Sequence, residues 1–384
     1  MATVIDVDCH FDVPIAPGEH PLAAYSEQLP SLDAFIADSL TGDLLHQTPE
    51  ASRPHFAELT PYLPDENTSS AEQATRPGEF APRFPLLSPD DRVAWLDRVG
   101  IDHAFVNPGG YGFLLPYVGN DPEAVRRCND FMADRLSGYT DRLVPVALVD
   151  WTDMDTSIAE LARMRAKGSR AFWARAEPLA AVSPGHPALD PLWAAATDLG
   201  MIAILHVGNV PTRFDGGWAD MGWERPGSTG AGGFFRYANS FRHQAAEMTI
   251  GAMVYGGVFG RHPDLTVLTE ELHVAWLPEF AARVASLDIA GPWPFDLAPS
   301  EMLRRNVRAT PLPGLGDGNV LDGVFDELPD MLVFSSDYPH GEGNPDPIDL
   351  YEPQLSALDP ERRAQFLGEN IAACFARMSD PLAT

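Results

Sequence analysis

Val4-Ile5-Asp6-Val7-Asp8-Cys9-His10 opens the chain with an apolar run that ends in potential metal ligands. Side chains alternate across a strand, so Asp8 and His10 leave its end on one face while Cys9 turns to the other, toward packing. Two more runs finish in the same way. Met201-Ile202-Ala203-Ile204-Leu205 leads into His206, and Met331-Leu332-Val333-Phe334-Ser335 leads into Ser336-Asp337-Tyr338-Pro339-His340. Carboxylates and imidazoles are the usual ligands for zinc, manganese or iron where cysteine is absent from a site. Three such strand ends, far apart in sequence, point to a metal enzyme.

Outward from these runs, short apolar strand candidates recur at residues 4–7, 103–106, 143–148, 170–173, 201–205, 265–268, 307–310 and 332–334. Eight is the number a closed barrel needs. Helical periodicity fills the gaps at residues 90–99, 122–136, 156–166, 191–199, 239–254 and 277–287, and Ser88-Pro89-Asp90 carries the residue types that start a helix. Strands alternating with helices predict a parallel sheet or barrel, and α/β barrels of this length form one domain, here residues 1–384. Two regions interrupt the alternation. Residues 14–87, rich in Pro, Ser, Glu and Asp, read as an insertion after the first strand. Residues 208–237 mix Gly227, Gly230, Gly232 and Gly233 with Trp218, Trp223, Phe234 and Phe235. No Gly-Lys-Ser/Thr follows those glycines, so the segment reads as a flexible aromatic lid and not as a phosphate cradle.

Composition narrows the partners. The formal net charge of -29 over 384 residues opposes nucleic acid and anionic membranes, which leaves a small-molecule substrate. Lys167 is the only lysine, so Schiff-base chemistry of the PLP type and a phosphate-loop lysine have almost no candidate, and arginine must hold any anion. Cys9, Cys128 and Cys374 are too few and too scattered for a disulfide framework or a zinc-cysteine cluster, which fits a reducing, cytoplasmic setting. Neither a signal peptide nor a membrane-spanning run is expected.

In order, these pieces resemble the amidohydrolase-2 family, the metal-dependent barrels related to aminocarboxymuconate semialdehyde decarboxylase. Asp8-Cys9-His10 stands where the family opens with His-x-His, Glu-x-His or Asp-x-His, and His206 closes the fifth strand. Pro263-Asp264-Leu265-Thr266-Val267 leads to Glu270-Glu271 and Trp276-Leu277-Pro278. Ser336-Asp337-Tyr338-Pro339-His340 matches the family's most specific signature, and Gly368-Glu369-Asn370 with Phe375 matches its closing pattern. The resemblance implies a distorted (β/α)8 TIM barrel with the site at the C-terminal strand ends, and one divalent metal ion held by Asp8, His10, His206 and Asp337. No NAD, flavin or PLP is expected, and a homodimer or larger assembly is. Asp8 replaces the histidine of the named decarboxylase, which hardens the site and shifts the expectation toward manganese while keeping zinc open. Where that enzyme has a catalytic histidine after the sixth strand, this chain offers Glu271, with His273 two residues on.

Such an ion polarises a carboxylate or carbonyl, or activates water, and so two chemistries follow. In a decarboxylase, Asp337 or a neighbour protonates the carbon from which carbon dioxide leaves an aromatic or unsaturated acid. In a hydrolase, a metal-activated water attacks a lactone, amide or other acyl carbon while Glu271, His273 or Asp337 moves the proton. Decarboxylation is the preferred expectation, and a barrel kept only for binding is the least favoured, since the ligand residues are intact. Arg175 and Arg213 are candidates to grip a substrate carboxylate, His340 to contact substrate, and Tyr111, Phe113, Trp173 and Trp218 to wall an apolar pocket.

Overall fold

The computed structural model describes residues 3–11, 88–108, 122–207, 240–312, 317, 323–339 and 346–382. Both interrupting regions, residues 14–87 and 208–237, lie outside the described residues, as do Tyr111, Phe113, Arg213, Trp218 and His340.

Seven parallel strands follow one another in chain order: β1 (Ile5–Phe11), β2 (His103–Pro108), β3 (Leu143–Ala147), β4 (Ala171–Trp173), β5 (Ile202–His206), β6 (Val267–Glu270) and β7 (Val307–Ala309). Every strand residue is buried, as the near-continuous apolar runs require of a parallel sheet covered by helices. The helices include α1 (Pro89–Val99), α2 (Pro122–Arg135), α3 (Met154–Ala166), α4 (Asp190–Asp198), α5 (His243–Tyr255) and α6 (Leu277–Ser286), then α7 (Pro299–Asn306), α8 (Pro347–Leu355) and α9 (Asn370–Arg377). Ser88 opens α1 with a reciprocal capping box to Asp91, and Gly100 closes it in the left-handed conformation. No helix among the described residues is long and apolar enough to cross a membrane.

The eighth expected strand, residues 332–334, is not a regular one. Residues 331–338 still bridge the sheet's two edges. On the β7 side, Ala309 N donates to Met331 O and Val333 N to Ala309 O; on the β1 side, Val7 N donates to Phe334 O, Asp337 N to Asp8 O and His10 N to Tyr338 O. Other amides of the segment go elsewhere: Met331 N to Leu328 O, Phe334 N to Phe366 O, Ser336 N to the Asp6 carboxylate, and Tyr338 N to Ser336 Oγ. The segment therefore closes an α/β barrel of the TIM type without a continuous ladder, because side chains capture part of its backbone.

The closing pattern Gly368-Glu369-Asn370 has a packing role. A Cβ at Gly368 would sit 2.0 Å from Thr3 O, so only glycine lets this turn approach the start of β1. Asn370 Nδ2 donates to Pro329 O and Leu332 O, and Phe375 stacks on Phe105 at 5.5 Å. Thus α9 clamps the closing segment from outside. Arg92 of α1 does the same from another side, donating to His10 O at 2.8 Å and lying against the rings of Phe11, Trp95 and Tyr338.

Candidate metal centre

The strand ends bring Asp8, His10, His206 and Glu271 together so that one donor atom from each lies within 4.8 Å of the others. All four are buried. His10 Nε2 is 3.2 Å from Asp8 Oδ1 and 3.0 Å from Glu271 Oε1; His206 Nε2 is 3.7 Å and 3.2 Å from the same two oxygens. Two imidazole nitrogens thus face two carboxylate oxygens across a gap of metal-shell size. Asp337 flanks this group, its Oδ1 3.5 Å from His10 Nε2.

Local backbone explains the convergence. Asp8 and His10 alternate with Cys9, whose Sγ donates to Phe105 O and stays outside the cluster. Burial pushes the Cys9 thiol well above its ordinary range, which keeps it protonated and a poor ligand. His206 pairs with Glu270 in the β5–β6 register, and the chain then turns at Glu271 with φ 54°. Asp337 turns likewise at φ 49°. Left-handed backbone is costly for residues other than glycine, and its occurrence at these two carboxylates marks a site whose geometry the surrounding structure enforces.

Electrostatics favour a cation here. Burial alone would raise the Asp8 carboxyl, but hydrogen bonds from His10 and His206 bring it below its ordinary value. Burial opposes charge on His206, yet the Glu271 charge and bonds to Asp8 and Glu271 raise it. Asp6 is pushed up to about 7 and Glu270 well above the usual range, each chiefly by burial, with the Asp8 charge adding to both. Asp8 Oδ2 and Glu270 Oε1 are buried with no hydrogen-bond partner, and no arginine or lysine among the described residues pairs with Asp6, Asp8 or Glu270. A hard, buried, anion-rich donor set of two imidazoles and two carboxylates suits one divalent ion.

The other candidates lie differently. His273 also takes a left-handed turn, at φ 58°, and its Nδ1 is 3.3 Å from Asp317 Oδ2, so Glu271 and not His273 joins the cluster. Arg175 pairs with Glu177 at 2.6 Å. Trp173, expected on a pocket wall, is 2% exposed; its ring stacks on His206 at 4.4 Å and its Nε1 donates to Asn107 Oδ1. Sequence reasoning missed Asn107 and Glu270. Asn107-Pro108 reads as the start of a turn, and Glu270 is masked by its neighbour Glu271.

Comparison with known proteins agrees with this architecture. The model of the family described as amidohydrolase matches residues 5–377. A search of curated proteins finds no match. Among solved structures, an amidohydrolase from Mycobacterium avium subsp. paratuberculosis K-10 is 22% identical, with 74% of each chain covered and a TM-score of 0.60. The 5-carboxyvanillate decarboxylase of Sphingomonas paucimobilis is 18% identical over 98% of this chain and 99% of that one, with a TM-score of 0.61. A dihydroxybenzoic acid decarboxylase of Polaromonas sp. JS666, with bound manganese and the inhibitor 2-nitroresorcinol, is 16% identical over 98% and 97%, with a TM-score of 0.59.

Proposed function

The chain belongs to the amidohydrolase family, and from that premise we propose that it is a metal-dependent, non-oxidative decarboxylase of an aromatic or unsaturated carboxylic acid. The observation that carries this reading is the convergence of Asp8, His10, His206 and Glu271 with Asp337 beside them at the C-terminal mouth of the barrel. Asp8, His10, His206 and Glu271 hold the ion, and Asp337 stands close enough to share its shell. The carboxylates of Asp8 and Glu271, with Asp337 beside them, lean toward manganese, while the two imidazoles suit zinc as well. Two of the fold neighbours are named decarboxylases of aromatic acids, one with manganese bound, which guides the choice of substrates.

A bound divalent ion supplies a Lewis acid for a substrate carboxylate and its neighbouring oxygen. The chain's residues do the rest. Asp337, fixed in a left-handed turn by the bond from its amide to Asp8 O, delivers a proton to the carbon that carbon dioxide leaves. Asp337 is itself buried, and Trp173 walls the site behind His206.

The test is a panel of hydroxylated aromatic acids and matched lactones and amides, run in deuterated water with manganese or zinc. Release of carbon dioxide with solvent deuterium at the vacated carbon is the expected result. Turnover of neutral acyl substrates with solvent oxygen entering the acyl group, and no decarboxylation, would assign the site to hydrolysis.

A further inference from the structure

We infer that Asn107 is a positioning residue that sets the geometry of the ion site from below, acting on Asp8 directly and on His206 through Trp173. The inference rests on the proposed function only in requiring that the site takes a divalent ion. Asn107 is fully buried at the end of β2, in register with His10 of β1. Its amide makes three hydrogen bonds. Nδ2 donates to Asp8 Oδ1 and to Glu270 Oε2, each at 2.8 Å, and Oδ1 accepts from Trp173 Nε1 at 2.7 Å.

These partners fix the amide's orientation, since only the NH2 end serves two carboxylates and only the carbonyl end serves an indole N–H. The same atoms then fix the ligands. Asp8 Oδ1 is the oxygen that faces both imidazole nitrogens, so the Asn107 bond holds the donor atom itself and leaves its other lone pair toward the gap. Trp173, pinned by Asn107, lies nearly parallel to the His206 ring at 18° and restricts that ring's rotation. One amide therefore ties β1, β4 and β6 together inside the barrel and braces two ligands that arrive from opposite directions. Groups that orient ligands typically carry about 10- to 100-fold in metal affinity.

The test measures ion affinity without any substrate. Full-length parent, Asn107→Leu, Trp173→Phe and the double variant are stripped with chelator, then titrated with manganese against a competing chelator and with cobalt to record its visible spectrum. Circular dichroism melting of the ion-free forms reads folding separately. Asn107→Leu is expected to weaken manganese binding about 10- to 100-fold and to change the cobalt spectrum. Trp173→Phe keeps a ring against His206 but removes the N–H, and is expected to cost about three- to tenfold. Because both act through the same amide, the double variant should cost no more than Asn107→Leu alone.

Affinities within twofold of the parent with an unchanged cobalt spectrum, or fully additive losses, would overturn the inference. Should Asn107→Leu not fold, Trp173→Phe decides: parent-like affinity and spectrum refute the brace. A parent that takes up no ion defeats the proposed function itself, whereas a parent that binds and variants that bind equally defeat only the role of Asn107.

Discussion

Replacing Asp6 by Asn should remove a large pH dependence from the stability of the ion-free protein. Asp6 is wholly buried; its carboxyl accepts from Ser336 N at 2.9 Å, Ser336 Oγ at 2.6 Å and Asp8 N at 3.2 Å. Burial nonetheless dominates and, with the charge of Asp8, pushes its pKa from 3.8 to about 7. An acid raised in the folded state binds its proton more tightly there than in the unfolded chain. Between pH 3.8 and about 7 the folded state holds more protons, so stability falls as pH rises through that window and is flat above it. At about 1.36 kcal/mol per pH unit, the full window is worth about 4 kcal/mol. Urea unfolding of chelator-treated parent and Asp6→Asn protein, from pH 4.5 to 8, isolates this contribution, because lost hydrogen bonds add only a constant offset. The parent should lose stability relative to the variant up to about pH 7. A difference that stays constant with pH, or that grows in the parent's favour, would refute the reasoning.

Replacing His206 by Ala should lower bound divalent ion, read by elemental analysis, together with turnover; full retention of both would remove His206 from the site. Asp337→Asn should nearly abolish turnover while the ion stays bound, whereas Glu271→Gln should lower bound ion and turnover together; an Asp337→Asn protein that keeps the parent's steady-state rate would take protonation away from Asp337. Gly368→Ala should cost about 3 kcal/mol, the upper end of overpacking penalties, because the new Cβ would lie 2.0 Å from Thr3 O; an unchanged unfolding midpoint would contradict that contact.

The strands were legible because burial on both faces writes them as apolar runs. Residues 201–205 predict β5 (Ile202–His206), and 103–106 predict β2, which runs two residues further to Pro108. The side-by-side placement of Asp8 and His10 follows from strand alternation. What sequence periodicity does not carry is what happens after a strand stops. Glu271, His273 and Asp337 all sit in left-handed turns, where alternation no longer says which way a side chain points. That is why Glu271 could not be told from His273 beforehand. The eighth stave was legible at residues 332–334, but its irregularity was not, for a related reason: three of its amides bond to Asp6, Ser336 and Phe366, partners no local pattern announces. Asn107 was hidden because its bonds run across the barrel interior, 163 residues from Glu270 and 99 from Asp8.

The buried carboxylates connect folding to the ion. Asp6, Asp8 and Glu270 lie in the barrel interior without an arginine or lysine partner among the described residues, and two of them are raised by burial. The two raised ones, Asp6 and Glu270, disfavour the folded state as they ionise, because charge taken out of water is costly unless compensated nearby. A divalent ion bound by the folded chain alone supplies that compensation and stabilises the fold by mass action. Its positive charge also draws nearby carboxyl pKa values down, so loading should both raise the unfolding midpoint and flatten its fall with pH. The two effects have one source, and they must appear together. An ion that stabilises the protein equally at pH 5 and pH 7.5 would be bound elsewhere than among these carboxylates.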